Sequence, residues 1–154
     1  MDELRALFRR LPAGVAVVTV DASGERLGLT IGTFVPLSFE PPLVGISIAR
    51  EAALHELLRE AGAFSVSLLA SEQEAVAQHF ARGVPPIAHW HGIDTRDGTH
   101  GAPLIEGALG WLECSLWAEW AAGDHTVFAG EVLSCELGET KPPLLYLDRR
   151  YRPL

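Results

Sequence analysis

The sequence predicts a single, mainly β domain: an antiparallel barrel with inserted helices. Three observations predict it. Apolar or alternating runs of strand length outnumber helical ones, and the longest, Gly107 to Ala122, is answered across Gly123-Asp124 by a run from about Thr126 to Leu137. Turns rich in Gly, Pro and Asp separate these runs at hairpin spacing. The strand-helix-strand repetition of a doubly wound nucleotide fold is missing, as are the G-x-G-x-x-G and G-x-x-x-x-G-K-[ST] loops.

Leu4, Leu7, Phe8 and Leu11 recur at helical spacing, so an amphipathic helix is expected near 3–11, stopped by Pro12 and docked on the core. Val15 to Val20 is a short apolar strand. The turn Asp21-Ala-Ser-Gly24 folds it back into a second strand at about 26–33. Residues 28–42 continue this hairpin and hold hydroxyls at Thr30, Thr33 and Ser38, glycines at Gly28 and Gly32, and three prolines. Such a stretch suits a wall against which a flat, partly polar ligand lies, since glycine admits close backbone approach. It equally suits an irregular strand with a bulge and a Pro-Pro stop. Leu43 to Ala49 is a third strand, and Ala52 to Ala61 a helix closed by Gly62. Phe64, Val66 and Leu68 alternate with Ser65 and Ser67, the pattern of a half-buried strand. Ser71 with Glu74 forms a capping-box signature for a helix to about Arg82. Residues 83–103 are irregular. Leu144 to Leu147 is the last strand, before Arg149-Arg150-Tyr151.

At 154 residues the chain is long enough for one well-buried domain. A net charge of -8 without a basic stripe argues against nucleic acid, and means that any phosphate site is built locally. The N-terminus has no signal-peptide core and no apolar run is long enough to span a bilayer, so a soluble, cytoplasmic protein is expected. Cys114 and Cys135, outside any CxxC, are compatible with one disulfide but better suit two buried thiols. His89-Trp-His91 and nearby His100 lack a further ligand at metal spacing, so this segment reads as a lid or a surface loop and no metal is expected. Trp111, Trp117 and Trp120 share one strand and suit barrel packing or a dimer interface.

Several segments, in order, resemble one family. They are Leu11-Pro-Ala-Gly-Val-Ala-Val-Val-Thr19, Gly28-Leu-Thr-Ile-Gly-Thr-Phe34, Leu37-Ser-Phe-Glu-Pro-Pro-Leu-Val44, Gly62-Ala-Phe-Ser-Val-Ser-Leu-Leu69, Gln78-His-Phe-Ala81, Gly123-Asp-His-Thr126 with Gly130, and Pro143-Leu-Leu-Tyr146 with Tyr151. The set is similar to the flavin reductase-like, FMN-binding split-barrel proteins, among them the reductase components of two-component flavin monooxygenases. The resemblance covers nearly the whole chain, 1–154 as one domain. It implies an FMN-binding split β-barrel, a homodimer, and FMN or FAD reduced by NADH or NADPH, with a separate monooxygenase as a partner to be supplied. A second reading is a flavin-binding electron-transfer or carrier protein with little NAD(P)H reactivity. A third is an interaction module that has lost flavin.

Carried onto this chain, the resemblance implies that Leu29, Thr30, Ile31, Gly32 and Thr33 contact the flavin edge and its ribityl-phosphate chain. Ile48, Ala49 and Arg50 continue the contact, with Arg50 as phosphate cation. Leu54 packs at the start of the next helix, and Phe80, Ala81 and Arg82 close the other flank. His125 positions the nicotinamide or, on the residues alone, caps a hairpin turn. Tyr151 approaches from the C-terminal segment. The chain departs from the family pattern at Gly32, where serine or asparagine is common. It departs again at Glu51, Ala52 and Ala53, where hydroxyls are common, and at Arg149, where glycine is usual.

Overall fold

The structure, a computed structural model, describes residues 1–154. Helix α1 (Asp2–Phe8) has acidic residues in its first turn, where they complement the helix dipole. A two-residue strand β1 (Ala13–Gly14) precedes β2 (Ala16–Ala22) and β3 (Glu25–Ile31). The β2–β3 turn places Ser23 and Gly24 at φ 53° and 93°, the two left-handed residues of a tight hairpin. The Gly24 N–H donates to Asp21 Oδ1 at 2.8 Å, which fixes the turn.

Strand β4 (Val35–Phe39) follows, and the Glu40–Pro41 turn leads into β5 (Pro42–Ala49). Sequence reading places no separate strand at β4. Pro36 lies within it, and the fold accommodates the missing donor because β4 is a sheet edge. Helix α2 (Ala53–Ala61) ends at Gly62, whose φ of 65° makes the left-handed cap. Strand β6 (Ala63–Leu68) leads through a short 3-10 turn to α3 (Glu74–Ala81). Beyond it come a small hairpin of β7 (Thr95–Asp97) and β8 (Pro103–Ile105), then the long hairpin of β9 (Gly110–Ala122) and β10 (His125–Leu137). Strands β11 (Leu144–Leu147) and β12 (Arg150–Pro153) close the chain.

The main sheet has seven strands in the order β3-β2-β6-β9-β10-β5-β4, antiparallel at every pairing. It curls on itself. Val18 and Val20 of β2 share one core with Ile46 and Ile48 of β5, four strands away in the order, and α2 plugs the interior with Leu54, Leu57 and Leu58. The barrel is split because edges β3 and β4 do not pair. The chain crosses this gap at residues 32–34, where Thr33 extends the β4–β5 register opposite Ser47. There the Thr33 hydroxyl, rather than the backbone, donates to Ser47 O at 2.9 Å and accepts from Ser47 N–H at 3.1 Å. A three-stranded sheet β1-β11-β12 joins the barrel where Val15, Leu69 and Leu144 exchange backbone hydrogen bonds.

Four expectations need correction. Cys135, expected as a buried thiol, is exposed, because it lies on the part of β10 that runs out beyond the core. Helix α1 buries nothing: Leu4, Leu7, Phe8 and Leu11 are all exposed, so its apolar stripe does not dock on this chain's core. Ser65 and Ser67 are buried rather than solvated, because β6 is central and covered on both faces; Ser67 Oγ accepts the Ile105 N–H at 3.0 Å. The Ser71 capping box is absent. Gln73 takes its place, its Oε1 accepting the Ala70 N–H at 3.0 Å while its Nε2 donates to Glu106 O at 2.8 Å.

Charge is unevenly placed. Arg5, Arg9, Arg10, Arg149, Arg150 and Arg152, half of the 12 basic residues, belong to α1, its C-terminal end and the β11–β12 hairpin. These segments meet where the Asp148 N–H donates to Arg9 O at 3.0 Å. None of the six forms an ion pair; every ion pair involves other residues.

Candidate active site

A cavity of about 570 Å³ opens between β3, the start of α2, and the end of α3 with the segment after it. Its size falls within the ordinary range for small-molecule sites. Leu27, Leu29, Leu54 and Phe80 make its apolar wall. Gly28 belongs to the same wall for a steric reason: a Cβ there would lie 2.8 Å from the Phe80 ring. Arg82 and the first residues of α2 also line the cavity. Ala52 caps that helix in an extended conformation and supplies no side-chain hydrogen bond. The His55 N–H donates back to Ala52 O at 3.0 Å, so the Ala53 and Leu54 N–H groups are the ones left free for an anion. The absence of hydroxyls at 51–53 removes side-chain donors but leaves these backbone donors in place.

Of the residues singled out in the sequence, Leu29, Leu54, Phe80, Ala81 and Arg82 come together in this cavity. Arg82 is held at its mouth by donating from Nε to Gln78 O at 3.3 Å. Ala49 and Arg50 lie at the adjoining corner. Ala49 pairs with His125 across β5 and β10, and the Arg50 N–H donates to Asp124 O at 2.9 Å. The Arg50 side chain is exposed and without an ion-pair partner. At His125, a partly exposed ring, Nδ1 pairs with Asp124 Oδ1 at 2.7 Å and Nε2 has no partner; the imidazole holds the Asp124 carboxyl below its ordinary range.

The remaining residues lie elsewhere. The side chains of Ile31 and Ile48 are in the core. The Thr30 hydroxyl donates to Ala77 O at 2.7 Å, and that of Thr33 bonds Ser47, so both hold the protein together and offer a ligand only their remaining capacity. A Cβ on Gly32 would lie 3.2 Å from the Ala13 Cβ, so a larger residue there needs a shift of β1. Tyr151 packs against Tyr146 with ring centroids 5.1 Å apart and against the cluster that contains Phe80; burial and its neighbours Tyr146 and Glu74 push its phenol up.

Two histidines join the site that sequence reasoning left out of it. His55 is buried on α2, its Nε2 bonded to Thr126 Oγ1 at 2.7 Å and its ring 5.3 Å from Phe128, so it locks the helix to β10 one residue from His125. His89 lines the cavity and its Nε2 accepts the Gly28 N–H at 2.9 Å. The alternation of His89-Trp-His91 is the visible signal for the second; nothing in the sequence marks the first.

A smaller cavity of about 250 Å³ lies under the β7–β8 hairpin, lined by Arg96, Trp111, Glu113 and Ser134 among others. Its charges are already engaged. Arg96 pairs with Glu136 at 2.6 Å and stands 4.5 Å over the Trp111 ring. Glu113 is buried and accepts from Ser134 Oγ, His100 N–H and Thr99 N–H at 2.8, 2.8 and 3.2 Å, bonds that hold its carboxyl below the usual range against the cost of burial. This network is structural. The neighbouring Cys114 thiol is pushed up to about 12 by burial and by Glu113, and stays protonated. No group of three or more metal-ligating side chains is assembled anywhere in the chain.

Comparison with known proteins points to one family. The family model described as "Flavin reductase like domain" matches residues 8–154. The reductase component of 4-hydroxyphenylacetate 3-monooxygenase from Thermus thermophilus is 43% identical over 99% of this chain and 96% of its own. An NADH-dependent FAD reductase from Streptomyces globisporus is 39% identical over 97% of this chain and 84% of its own. A solved structure of the Streptomyces globisporus NADH:FAD oxidoreductase in complex with NAD and FAD fragments superposes with a TM-score of 0.92 at 38% identity, covering 98% of this chain and 90% of that one.

Proposed function

Because this chain belongs to the flavin reductase-like family, we propose that the cavity between β3, α2 and α3 is its flavin site and that the β5–β10 corner docks the nicotinamide. The protein is an NAD(P)H-dependent flavin reductase, an oxidoreductase acting on FMN or FAD. The observation that carries the site assignment is the pairing of an apolar wall with an uncapped helix start and Arg82 in one cavity. That donor set suits a flat ring bearing a phosphate.

When bound, the flavin supplies the hydride-accepting ring. The chain supplies position and dryness. Leu27, Leu29, Leu54 and Phe80 cover one ring face and exclude water. Arg82 and the first amides of α2 take the phosphate, with Arg50 as the second cation at the corner. Asp124 fixes the His125 ring so that Nε2 faces outward toward an incoming nicotinamide. His125 is thus a positioning residue, whereas Tyr151 packs with Tyr146 and takes no part at that corner.

A second copy of the chain would cover the exposed apolar side chains of the β4 edge (Val35, Leu37, Phe39) and of the β9–β10 hairpin (Trp117, Trp120, Leu133). Unpaired edges and large apolar patches call for a partner. A homodimer is the expected solution state, checked by sedimentation. No helix is long and apolar enough to cross a membrane, and the exposed free thiol of Cys135 suits a reducing cytoplasm. Supply of reduced flavin to a separate monooxygenase is the role the relatives' names suggest.

The test is anaerobic mixing of the protein with FMN or FAD and then NADH or NADPH, following the flavin's visible absorbance. Catalysed bleaching is expected. A bound flavin that stays oxidised would support the carrier reading instead. Replacing Arg82 or Arg50 by Ala weakens flavin binding about tenfold or more, the value of a charge-assisted hydrogen bond. His125→Ala raises the KM for NAD(P)H while leaving flavin affinity nearly unchanged.

A further inference from the structure

Strand β3 is the free edge of the seven-stranded sheet, so the backbone groups it turns away from β2 have no strand to meet. Side chains from the segment after α3 meet them instead. Trp90 Nε1 donates to Arg26 O at 3.1 Å, and the Gly28 N–H donates to His89 Nε2 at 2.9 Å. Arg26 and Gly28 are two residues apart, so the two rings take the places that alternate groups of a neighbouring strand would fill. His79 on α3 completes the fastening by donating from Nε2 to His89 O at 2.7 Å. The rings of His89 and Trp90 pack edge-on to each other and both lie 5.3 Å from the Phe80 ring. Residues 82–86 and His89 form the far wall of the flavin cavity.

We propose that His89 is a positioning residue for flavin binding: by accepting the Gly28 amide hydrogen it pins the 82–92 segment to the edge strand and so holds the far wall of the cavity in place. The inference rests on the flavin reading of that cavity. It concerns a residue outside the groups assigned to ring, phosphate and nicotinamide.

The chemistry of the pin makes it sensitive to protonation. An imidazole accepts only at an unprotonated nitrogen, so Nδ1 carries the ring hydrogen here. A second proton at Nε2 would set one N–H against another and break the bond to Gly28. Burial and the charge of His79 on α3 both hold His89 below the ordinary value of 6.5. Arg82, after the end of α3, is the other cation that lines the cavity with it. Because the released ring takes up a proton more readily than the pinned one, docking of the segment is complete above about pH 6.5 and weakens as pH falls below it.

His89→Ala, which removes the acceptor, and His89→Gln, which keeps an acceptor that does not titrate, test the proposal. Two quantities are measured at pH 7.5 and pH 5.5: protection of the Gly28 amide from hydrogen exchange in flavin-free protein, corrected for the intrinsic pH dependence of exchange, and the Kd for FMN and FAD. At pH 7.5 His89→Ala loses Gly28 protection and binds flavin about tenfold more weakly, the worth of one hydrogen bond. His89→Gln restores both. On acidification the native protein moves toward the Ala variant, and the Gln variant does so much less. Gly28 protection that survives in His89→Ala would overturn the pin. Lost protection with unchanged flavin affinity would overturn the positioning role. Should the Ala variant not fold, the pH profiles of the native protein and the Gln variant decide alone, and parallel profiles would refute the proposal. Native protein that binds no flavin at either pH refutes the flavin reading, while the exchange data still report on the pin.

Discussion

The 2.8 Å that would separate a Gly28 Cβ from the Phe80 ring sets how one residue shapes the cavity. Gly28→Ala forces Phe80 off its rotamer or α3 off β3, at a cost of about 1–3 kcal/mol. The expected outcome is a lower Tm together with weaker flavin binding, read by thermal melts with and without flavin. Glu113 matters in a different way. Its lowered carboxyl contributes stability that is complete above its ordinary value of 4.5 and is lost as pH falls through the depressed folded value. Glu113→Ala also strands the Ser134 hydroxyl and two loop amides, costing about 2–3 kcal/mol. Denaturant melts at pH 7 and pH 3.5 check both points: the native protein loses more stability between the two pH values than the variant does. At this scale the resemblance brought Arg82 to the cavity that it lines, with no local pattern marking it. The sequence was silent where two distant residues act together. Nothing local to Glu113 announces Ser134, and nothing local to His55 announces Thr126.

The β11–β12 turn puts Asp148 and Arg149 at φ 51° and 62°, a pair of left-handed positions with no glycine. Asp tolerates this conformation, as Asn and Gly do, whereas a long side chain such as Arg149 does so poorly. Arg149→Gly relieves it and raises stability by about 1 kcal/mol, measurable as a higher denaturant midpoint. Most elements could be read from turn chemistry: the Ser23-Gly24 hairpin, the Gly62 cap and the Gly123-Asp124 hairpin all stand where Gly and Asp predicted them. The failures have a common physical cause. Period and propensity report what an element could bury, and only the assembled sheet decides what it does bury. Thus α1 has an apolar stripe with nothing from this chain against it, β6 hides its serines because other elements, α2 and β8 among them, cover both its faces, and β4 escaped notice because proline is tolerated at an edge.

For the molecule as a whole, the alternation of strands and turns pointed to an antiparallel β fold, whereas the split barrel was legible only through resemblance. No local pattern says that β2 and β5 face each other across α2. The cavity is a product of that long-range closure, which is why the residues that line it come from three separate segments. Ile31 shares the face of Leu27 and Leu29 but lies farther along β3, where the closed sheet takes it into the core, and Ile48 is in the same core.

The six unpaired arginines of α1 and the C-terminal hairpin, set on a chain of net charge -8, give the protein a built-in electric polarity. A uniform acidic particle would be repelled by a negatively charged support. This one has an end that such a support can capture, and it would land with that end down. At low ionic strength and pH 7 it is expected to be retarded on a sulfonate or heparin column in spite of its sign, and to release within moderate salt as the Debye length shrinks. Arg9→Gln with Arg152→Gln shortens the retention; a protein that flows through unretarded at low salt would show that the arginine end does not act as a unit. In a crowded solution the same polarity turns the molecule as it nears a charged surface, so approach from that end is guided and approach from the others is left to chance.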